Sequence, residues 1–571
     1  MPRFRRDTWR AGVGPRLLLL LFVACWPGAC VSGTSGGFAA SSELSPEGRP
    51  NILIIVADDL GYSDLGAYGG EIGTPNLDAL SRSGVLFTRF YSSPTCSPTR
   101  AMLLTGTDHH LAGLGTMAGD HTPNQQGQPG YEGYLNFRVV TVAELLRDAG
   151  YHTYMTGKWH LGLEEETGPA NRGFERSFAL LPGGAGHFDD LDLAGGRTGA
   201  IYREDSVLTP LPEDFYSTRF YAERMIDYID DGRVDGRPFF AYLAFTAPHW
   251  PLQAPDSSIA RHAGAYGGGY DALLSERVER MKSLGLLSAE VQPPARLPGE
   301  RAWEELTAAE RRVEARKMEI FAAMVHDLDL YVGRVGDYLK RVGEYENTFI
   351  FFMSDNGAEG HDLEAYWPEL APAIRECCDN SYENMGRPDS YIYYGPNWAR
   401  AGVGPSRLFK GFTTEGGILV PAFASYPEGL AGGRRYDGLA SVMDLMPTVL
   451  DLAGVPHPGT RYRGREVESL RGISMLDMLR GESDRVHEPD HVMGWELFGR
   501  RAIRQGDWKL VWTTDPLGPD DWELFNLAED PVESRDLSTQ YADRRRELIG
   551  RWDRYVQEVG VLLPSEPMTT Y

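Results

Sequence analysis

Five residues, Cys96-Ser97-Pro98-Thr99-Arg100, carry the sharpest chemical signal in the chain. A solitary cysteine is ordinarily a small buried hydrophobe. Here Pro94, Thr95, Ser97 and Pro98 make a turn-rich polar setting and Arg100 brings a cation close, so the residue reads as chemistry rather than as core filling. Four other polar sets stand far apart along the chain: Asp58-Asp59, Lys158 with His160, His249, and Asp355-Asn356. Histidine suits proton transfer because its unperturbed pKa lies near working pH. Taken singly, each set has an ordinary reading, a solvated turn for the Asp, a surface position for the Lys and a structural role for the His. His109-His110 belongs in that structural class.

The elements in front of these sets change the reading. Residues 51–57 are an uninterrupted apolar run with β-branched side chains, which predicts a strand buried on both faces, and the run ends in Asp58-Asp59. The strand predicted at 151–156 delivers Gly157-Lys158-Trp159-His160, the one at 238–245 delivers Thr246-Ala247-Pro248-His249, and the one at 348–354 delivers Asp355-Asn356-Gly357. Between them, Thr74-Pro75 opens a helix that stops at Gly84, Thr141 and Glu144 form a capping box, and 311–342 has helical periodicity. Strands alternating with helices predict an α/β protein with a large, mostly parallel sheet sandwiched by helices. All four polar sets fall just past the C-terminal ends of strands, the edge where open sheets of this kind hold their ligands.

Two segments, 261–310 and 361–405, look like additions to that scaffold. The second carries Tyr391, Tyr393, Tyr394 and Trp398, which either wall a site or pack the loop on itself. Antiparallel strands are expected within 493–512 and at 522–526, with a helix at 541–559 packed on them. The organisation read from the chain is a signal at 1–30, a linker at 31–48, a catalytic domain at 49–480 and a smaller C-terminal α+β domain at 481–571. Arg3, Arg5, Arg6, Arg10 and Arg16 precede the apolar run 17–24, which is too short to span a bilayer and reads as an export signal, with a lipid anchor left open at Cys25 or Cys30. The expected location is therefore periplasmic or extracellular. A formal charge of -25 over 571 residues excludes a nucleic-acid partner, since phosphate backbones need a basic face. Cys377 and Cys378 are adjacent and can pair with each other only in a strained vicinal bridge, so no disulfide framework follows and Cys96 is left unpaired.

The pattern C-x-P-x-R at Cys96 resembles the type I sulfatase signature. From Arg49 to about Leu537 the chain resembles type I sulfatases of the alkaline-phosphatase-like superfamily, most of all bacterial arylsulfatases. The motifs that carry the resemblance run from Pro50-Asn51-Ile52 to Asp58-Asp59-Leu60-Gly61, then Cys96 to Gly106, Thr156 to Gly162, Ala247-Pro248-His249, Ser354-Asp355-Asn356-Gly357, and Lys410-Gly411 before Glu415-Gly416-Gly417. Thr107 departs from it, since many members have Arg after the Leu-Thr-Gly element.

The resemblance implies that a maturation enzyme oxidises Cys96 to formylglycine (3-oxoalanine), whose hydrate supplies the nucleophilic hydroxyl. It implies a metal held by Asp58, Asp59, Asp355 and Asn356. Four oxygen ligands without thiolate or imidazole suit a hard cation, Ca²⁺ before Mg²⁺. It further implies that Lys158 and Lys410 bind the sulfate, Arg100 orients the nucleophile, Asp355 is the base, His249 protonates the departing oxygen and His160 assists sulfate release. The substrate would be a small sulfate ester, aryl or alkyl. Two other readings stay open: a phosphodiester or phosphonate-monoester hydrolase of the same superfamily, and an exported, metal-stabilised binding protein without turnover. The presence together of Cys96, Arg100, Lys158, His160, His249 and Lys410 speaks against the second.

Overall fold

The computed structural model describes residues 48–193, 199–362, 371–566 and 568. The expected export signal, its cysteines Cys25 and Cys30, and nearly all of the linker lie outside the described residues. Among the described residues, no helix is long and apolar enough to cross a membrane.

The strands of the main sheet are β1 (Asn51–Ala57), β2 (Val85–Tyr91), β3 (His152–Lys158), β4 (Arg176–Leu180), β5 (Tyr202–Glu204), β6 (Val207–Leu208), β7 (Phe239–Ala244), β8 (Thr348–Ser354), β9 (Leu419–Ser425), β10 (Arg434–Tyr436) and β11 (Ala440–Ser441). They form one 11-stranded sheet in the order β10-β2-β9-β8-β1-β7-β3-β4-β5-β6, with β11 beside β2. Its centre, β8-β1-β7-β3-β4, is parallel throughout. β9 runs antiparallel to both of its neighbours, β8 and β2.

Period-two alternation explains why the central strands read as unbroken apolar runs. On β1, Leu53 and Ile55 enter one hydrophobic cluster while Ile52, Ile54 and Val56 enter the other, so both faces are covered. Helices α1 (Pro75–Ser83), α4 (Ser217–Gly232), α5 (Asp256–Ala260), α6 (Tyr270–Ser283) and α7 (Ala308–Val342) supply the first cluster. Helices α2 (Cys96–Thr105) and α3 (Val142–Asp148), with the later helix Leu445–Ala453, supply the second. The capping box at the start of α3 forms as expected, Thr141 Oγ1 accepting from the Glu144 N–H at 3.0 Å.

After a small hairpin of β12 (Arg461–Tyr462) and β13 (Arg465–Glu466) come β14 (Val492–Leu497), β15 (Arg500–Gln505), β16 (Trp508–Thr513) and β17 (Asp521–Asn526). These four make an antiparallel sheet. Ile503, Leu510 and Leu524 pack on the helix Ala542–Val559 through Leu548 and Trp552. The opposite face, with Trp495, Ala502 and Val511, packs on Tyr91 and Ile418 of the main sheet region. The C-terminal sheet is thus built into the same compact unit rather than standing apart.

Candidate active site

Strand register decides which side chains meet. Ala57 lies opposite Ser354, and Val56 and Gly157 both pair with Ala244, so Asp58, Lys158 and Asp355 emerge together at the carboxyl edge of the parallel strands. The close approach of β3 to β7 requires a glycine before Lys158, because a Cβ at Gly157 would stand 1.8 Å from the Ala244 carbonyl oxygen. Asp59 and His160, each two residues past a strand end, have φ of 66° and 56°. That left-handed region is sparsely populated, Asp and His tolerate it better than most residues, and such positions cluster at functional sites.

Cys96 is the first residue of α2, and every residue of that helix is buried. Its position puts the side chain at the positive end of the helix dipole. Cys96 is 2 % exposed, its thiol lies 3.8 Å from Thr95 Oγ1, and it is the free cysteine among the described residues. Burial pushes the Cys96 thiol up in pKa, with Lys158 and Lys410 pulling the other way. One turn on, Arg100 grips Asp355 Oδ2 from Nε at 2.9 Å and Nη2 at 2.7 Å, and donates from Nη1 to the Lys158 carbonyl at 2.8 Å.

The remaining cations close on the other carboxylates. Lys158 Nζ donates to Asp58 Oδ2 at 2.7 Å, and Lys410 Nζ lies 2.9 Å from Asp59 Oδ2. The amide of Asn356 donates to Asp59 Oδ1 at 2.7 Å, and the Asp59 N–H donates to Asp355 Oδ1 at 3.2 Å. All of these groups are buried. Burial pushes the Asp58 carboxyl well above the carboxylate range despite Lys158, and Asp355 and Asp59 push it the same way. Burial opposes charge on Lys410, but Asp59 together with Cys96, Glu359 and Asp58 holds it well above the usual lysine range.

Two oxygens are left over. Asp58 Oδ1 and Asn356 Oδ1 are buried without a hydrogen bond, although buried polar atoms nearly always have a partner. Asp58, Asp59 and His249 can each turn a ligand atom within 4.8 Å of the others, as can Asp58, Cys96 and Asp355. A donor set of carboxylate and amide oxygens with orphaned lone pairs fits a hard divalent cation. Charge gives the same answer. Among the described residues, Asp58, Asp59, Asp355 and Glu359, when ionised, pair with three permanent cations, Arg100, Lys158 and Lys410, a deficit of one positive charge that a divalent cation turns into an excess of one.

The histidines sit across the cleft. His249 Nδ1 donates to the Trp250 carbonyl at 2.5 Å, which leaves Nε2, 3.5 Å from Asp59 Oδ2, as the atom able to hold or deliver a proton. Burial first, then Lys410 and Lys158, pushes the His249 imidazole well below its ordinary pKa. His160 is pushed down by burial, Lys158 and Arg100, and its Nδ1 is buried without a hydrogen bond. Cys96, His160, His249 and Lys410 line one cavity of about 210 Å³. A larger one, about 560 Å³, lies beside the C-terminal sheet and contains none of these groups.

Every site residue expected from the sequence lies at this edge, while Glu359, His361, Asp120 and Trp250 join it unexpectedly. Glu359 bridges Lys410 at 3.0 Å and accepts from His361 Nδ1. Its only sequence signal is its place two residues after Gly357. The base role for Asp355 meets an obstacle: both its oxygens are already engaged, Oδ2 by the Arg100 guanidinium and Oδ1 by the Asp59 N–H. The aromatic segment divides. Trp398 is fully buried against Tyr266, Tyr270 and Trp303, and Tyr394 stacks on Phe321, whereas Tyr391 packs against the cleft residue Trp250. Cys377 and Cys378 pair with each other.

A mostly parallel sheet whose carboxyl edge gathers carboxylates, lysines and a helix-borne cysteine is the architecture of the alkaline-phosphatase-like hydrolases. The solved structure of Ps i-CgsB in complex with k-i-k-neocarrahexaose shares it, with a TM-score of 0.64 at 25% identity over 90% of this chain and 94% of that one. The chain belongs to the sulfatase family, whose model matches residues 50–455, and it is a type I sulfuric ester hydrolase. A second model, N-sulphoglucosamine sulphohydrolase, C-terminal, matches residues 406–550. An uncharacterised sulfatase of Schizosaccharomyces pombe is 46% identical over 529 residues, covering 90% of this chain and 94% of that protein. The arylsulfatase of Klebsiella aerogenes is 38% identical over 450 residues, covering 78% of this chain and 96% of that protein.

Proposed function

We propose that the protein hydrolyses small sulfate esters with a formylglycine made from Cys96 by a maturation enzyme, beside a Ca²⁺-type cation. The observation that carries this reading is the placement of Cys96 at the buried start of α2, in one cavity with Lys410, His160 and His249. The formylglycine hydrate supplies the attacking hydroxyl, and Asp58, Asp59, Asp355 and Asn356 hold the cation that offsets their mutual repulsion. Lys158 and Lys410 bind the sulfate oxygens, exchanging part of their hold on Asp58 and Asp59 for the ester. Arg100 fixes the first turn of α2 against Asp355 and so orients residue 96. His249, neutral at rest with its proton on Nδ1, delivers a proton to the departing oxygen after taking one up at Nε2, and His160 manages the proton at residue 96 as sulfate leaves.

The excess of one positive charge expected with the cation in place matches the single negative charge of a sulfate ester. A phosphodiester carries the same charge, so the decisive experiment compares aryl sulfate with aryl phosphonate monoester in wild type and Cys96→Ala. Faster wild-type turnover of the sulfate, lost in the variant, supports the reading. Preference for the phosphonate overturns it. Export, with a lipid anchor at Cys25 or Cys30, is proposed on residues 1–30 alone, and fractionation of the native host would test it.

A further inference from the structure

The organic part of the ester must share the cavity that holds Cys96 and Lys410. The same cavity is lined by Met117, Ala118, Leu193, Trp250 and Phe498, together with the carboxyl of Asp120. Among the described residues lining the cleft, Lys410 is the single lysine or arginine, and it already faces Asp59 and Glu359. A polyanionic substrate would need cations beyond the sulfate end, and the described lining offers it apolar surface and a carboxyl instead. The wall is supported from behind. The Trp250 ring lies 5.9 Å from Tyr391, and Cys377 and Cys378 pack on the same cluster. A cavity of about 210 Å³ is also smaller than the roughly 300–1,000 Å³ of sites for drug-sized ligands, so it encloses about one ring rather than a run of sugars.

Asp120 is held by its backbone. Its N–H donates to the Met117 carbonyl at 3.1 Å and its carbonyl accepts from Thr116 Oγ1 at 3.4 Å. Among the described residues no hydrogen bond or ion pair reaches its carboxyl. Burial alone pushes that carboxyl up to about 6, so at pH 8 it is an anion facing the cleft. Resting on the sulfatase reading above, we propose that the cleft selects sulfate monoesters of aromatic alcohols that carry no second anion, and that Asp120 is the specificity residue that turns the second anion away.

The test measures kcat/KM at pH 8 for phenyl sulfate and 3-carboxyphenyl sulfate with wild type and Asp120→Asn, so that each leaving group's own reactivity cancels in the variant-to-wild-type ratio. Asp120→Asn should raise the carboxylated ester by about tenfold or more and the neutral ester by less than about threefold. High salt should raise the wild-type ratio of carboxylated to neutral ester, because the repulsion is screened. If the variant moves both esters alike or neither, or if wild type prefers a sulfated disaccharide to phenyl sulfate, the selection by Asp120 and the aromatic wall is wrong while the sulfatase reading stands. If wild type turns over no sulfate ester, the sulfatase reading falls and takes the selection with it.

Discussion

Two buried charge clusters lie at opposite ends of α2, and they are finished differently. Beyond its C-terminal end, His110 uses both ring nitrogens, Nδ1 to Asp108 Oδ1 at 2.8 Å and Nε2 to Glu496 Oε2 at 3.2 Å. Asp108 Oδ2 accepts from the Tyr555 hydroxyl at 2.8 Å, and Glu496 Oε1 accepts from the Gly499 N–H at 2.7 Å. Each donor and acceptor there is used, and the cluster ties the loop after α2 to the C-terminal sheet and its last helix. At the N-terminal end, Asp58 Oδ1, Asn356 Oδ1 and His160 Nδ1 are buried without a hydrogen bond. A closed cluster is glue, and an open one is a binding site. The histidines report the same contrast. Burial opposes charge on all of them, but two carboxylates raise His110 to about 9, while Lys158 and Lys410 add to burial and drive His160 and His249 down, with Arg100 acting on His160 as well.

Breaking the open cluster should remove function with little loss of fold. Cys96→Ala is expected to lower aryl sulfate turnover by roughly 10⁴-fold or more, with a melting temperature near wild type. Turnover within tenfold of wild type would remove Cys96 from the chemistry.

Metal removal should strike both properties at once. EDTA treatment, or Asp59→Ala, is expected to abolish most activity and lower the melting temperature, since a ligand at a hundredfold excess over its Kd stabilises the native state by about 2.7 kcal/mol. Ca²⁺ should restore the chelated wild type better than Zn²⁺, which prefers nitrogen and sulfur ligands. Rescue by Zn²⁺ alone would contradict an oxygen-ligand site.

His249→Ala sharpens the division of labour inside the open cluster. As proton donor to the leaving oxygen it should contribute about 10²–10⁴-fold for phenyl sulfate and much less for 4-nitrophenyl sulfate, whose leaving group needs little protonation. Equal losses on the two esters would assign His249 to binding.

The closed cluster should respond in stability and hardly in turnover. The His110 pKa is about 9 in the fold against an ordinary 6.5, so its contribution is complete below 6.5 and is lost as pH rises through 9. It amounts to ~3 kcal/mol. His110→Asn should therefore lower the melting temperature at pH 6 and flatten its fall between pH 7 and 10, with kcat within about threefold of wild type. A wild-type melting temperature indifferent to pH in that window would show that His110 is neutral in the fold.

Strands β1 and β8 were legible to the residue, because both faces of each are buried and apolar runs have few other uses. β3 extends two residues beyond its expected end, because Gly157 and Lys158 continue the ladders to β7 and β4 without being apolar. The antiparallel course of β9 left no trace, since chain direction is not written in side-chain pattern. Asp58, Asp59, Lys158, His160, His249, Asp355 and Asn356 were legible because each stands at or beyond a strand end, and register then brings Asp58, Lys158 and Asp355 to one edge, whereas Cys96, Arg100 and Lys410 were legible through the motifs that resemble the sulfatases. Glu359 and Asp120 were not, because neither sits at a strand end and only tertiary packing brings them to the cleft. The aromatics of 391–398 were ambiguous for the same reason, core and cleft wall being made of the same side chains.

The central claim is that residue 96 acts as an aldehyde made from a thiol. Protein from its native host should be digested, the peptide holding Cys96 weighed, and aryl sulfate turnover measured on the same preparation. The account predicts a peptide lightened by exchange of CH₂–SH for an aldehyde, reactive toward hydrazide, with turnover proportional to the converted fraction. Full turnover by protein whose Cys96 remains an unmodified thiol would contradict it.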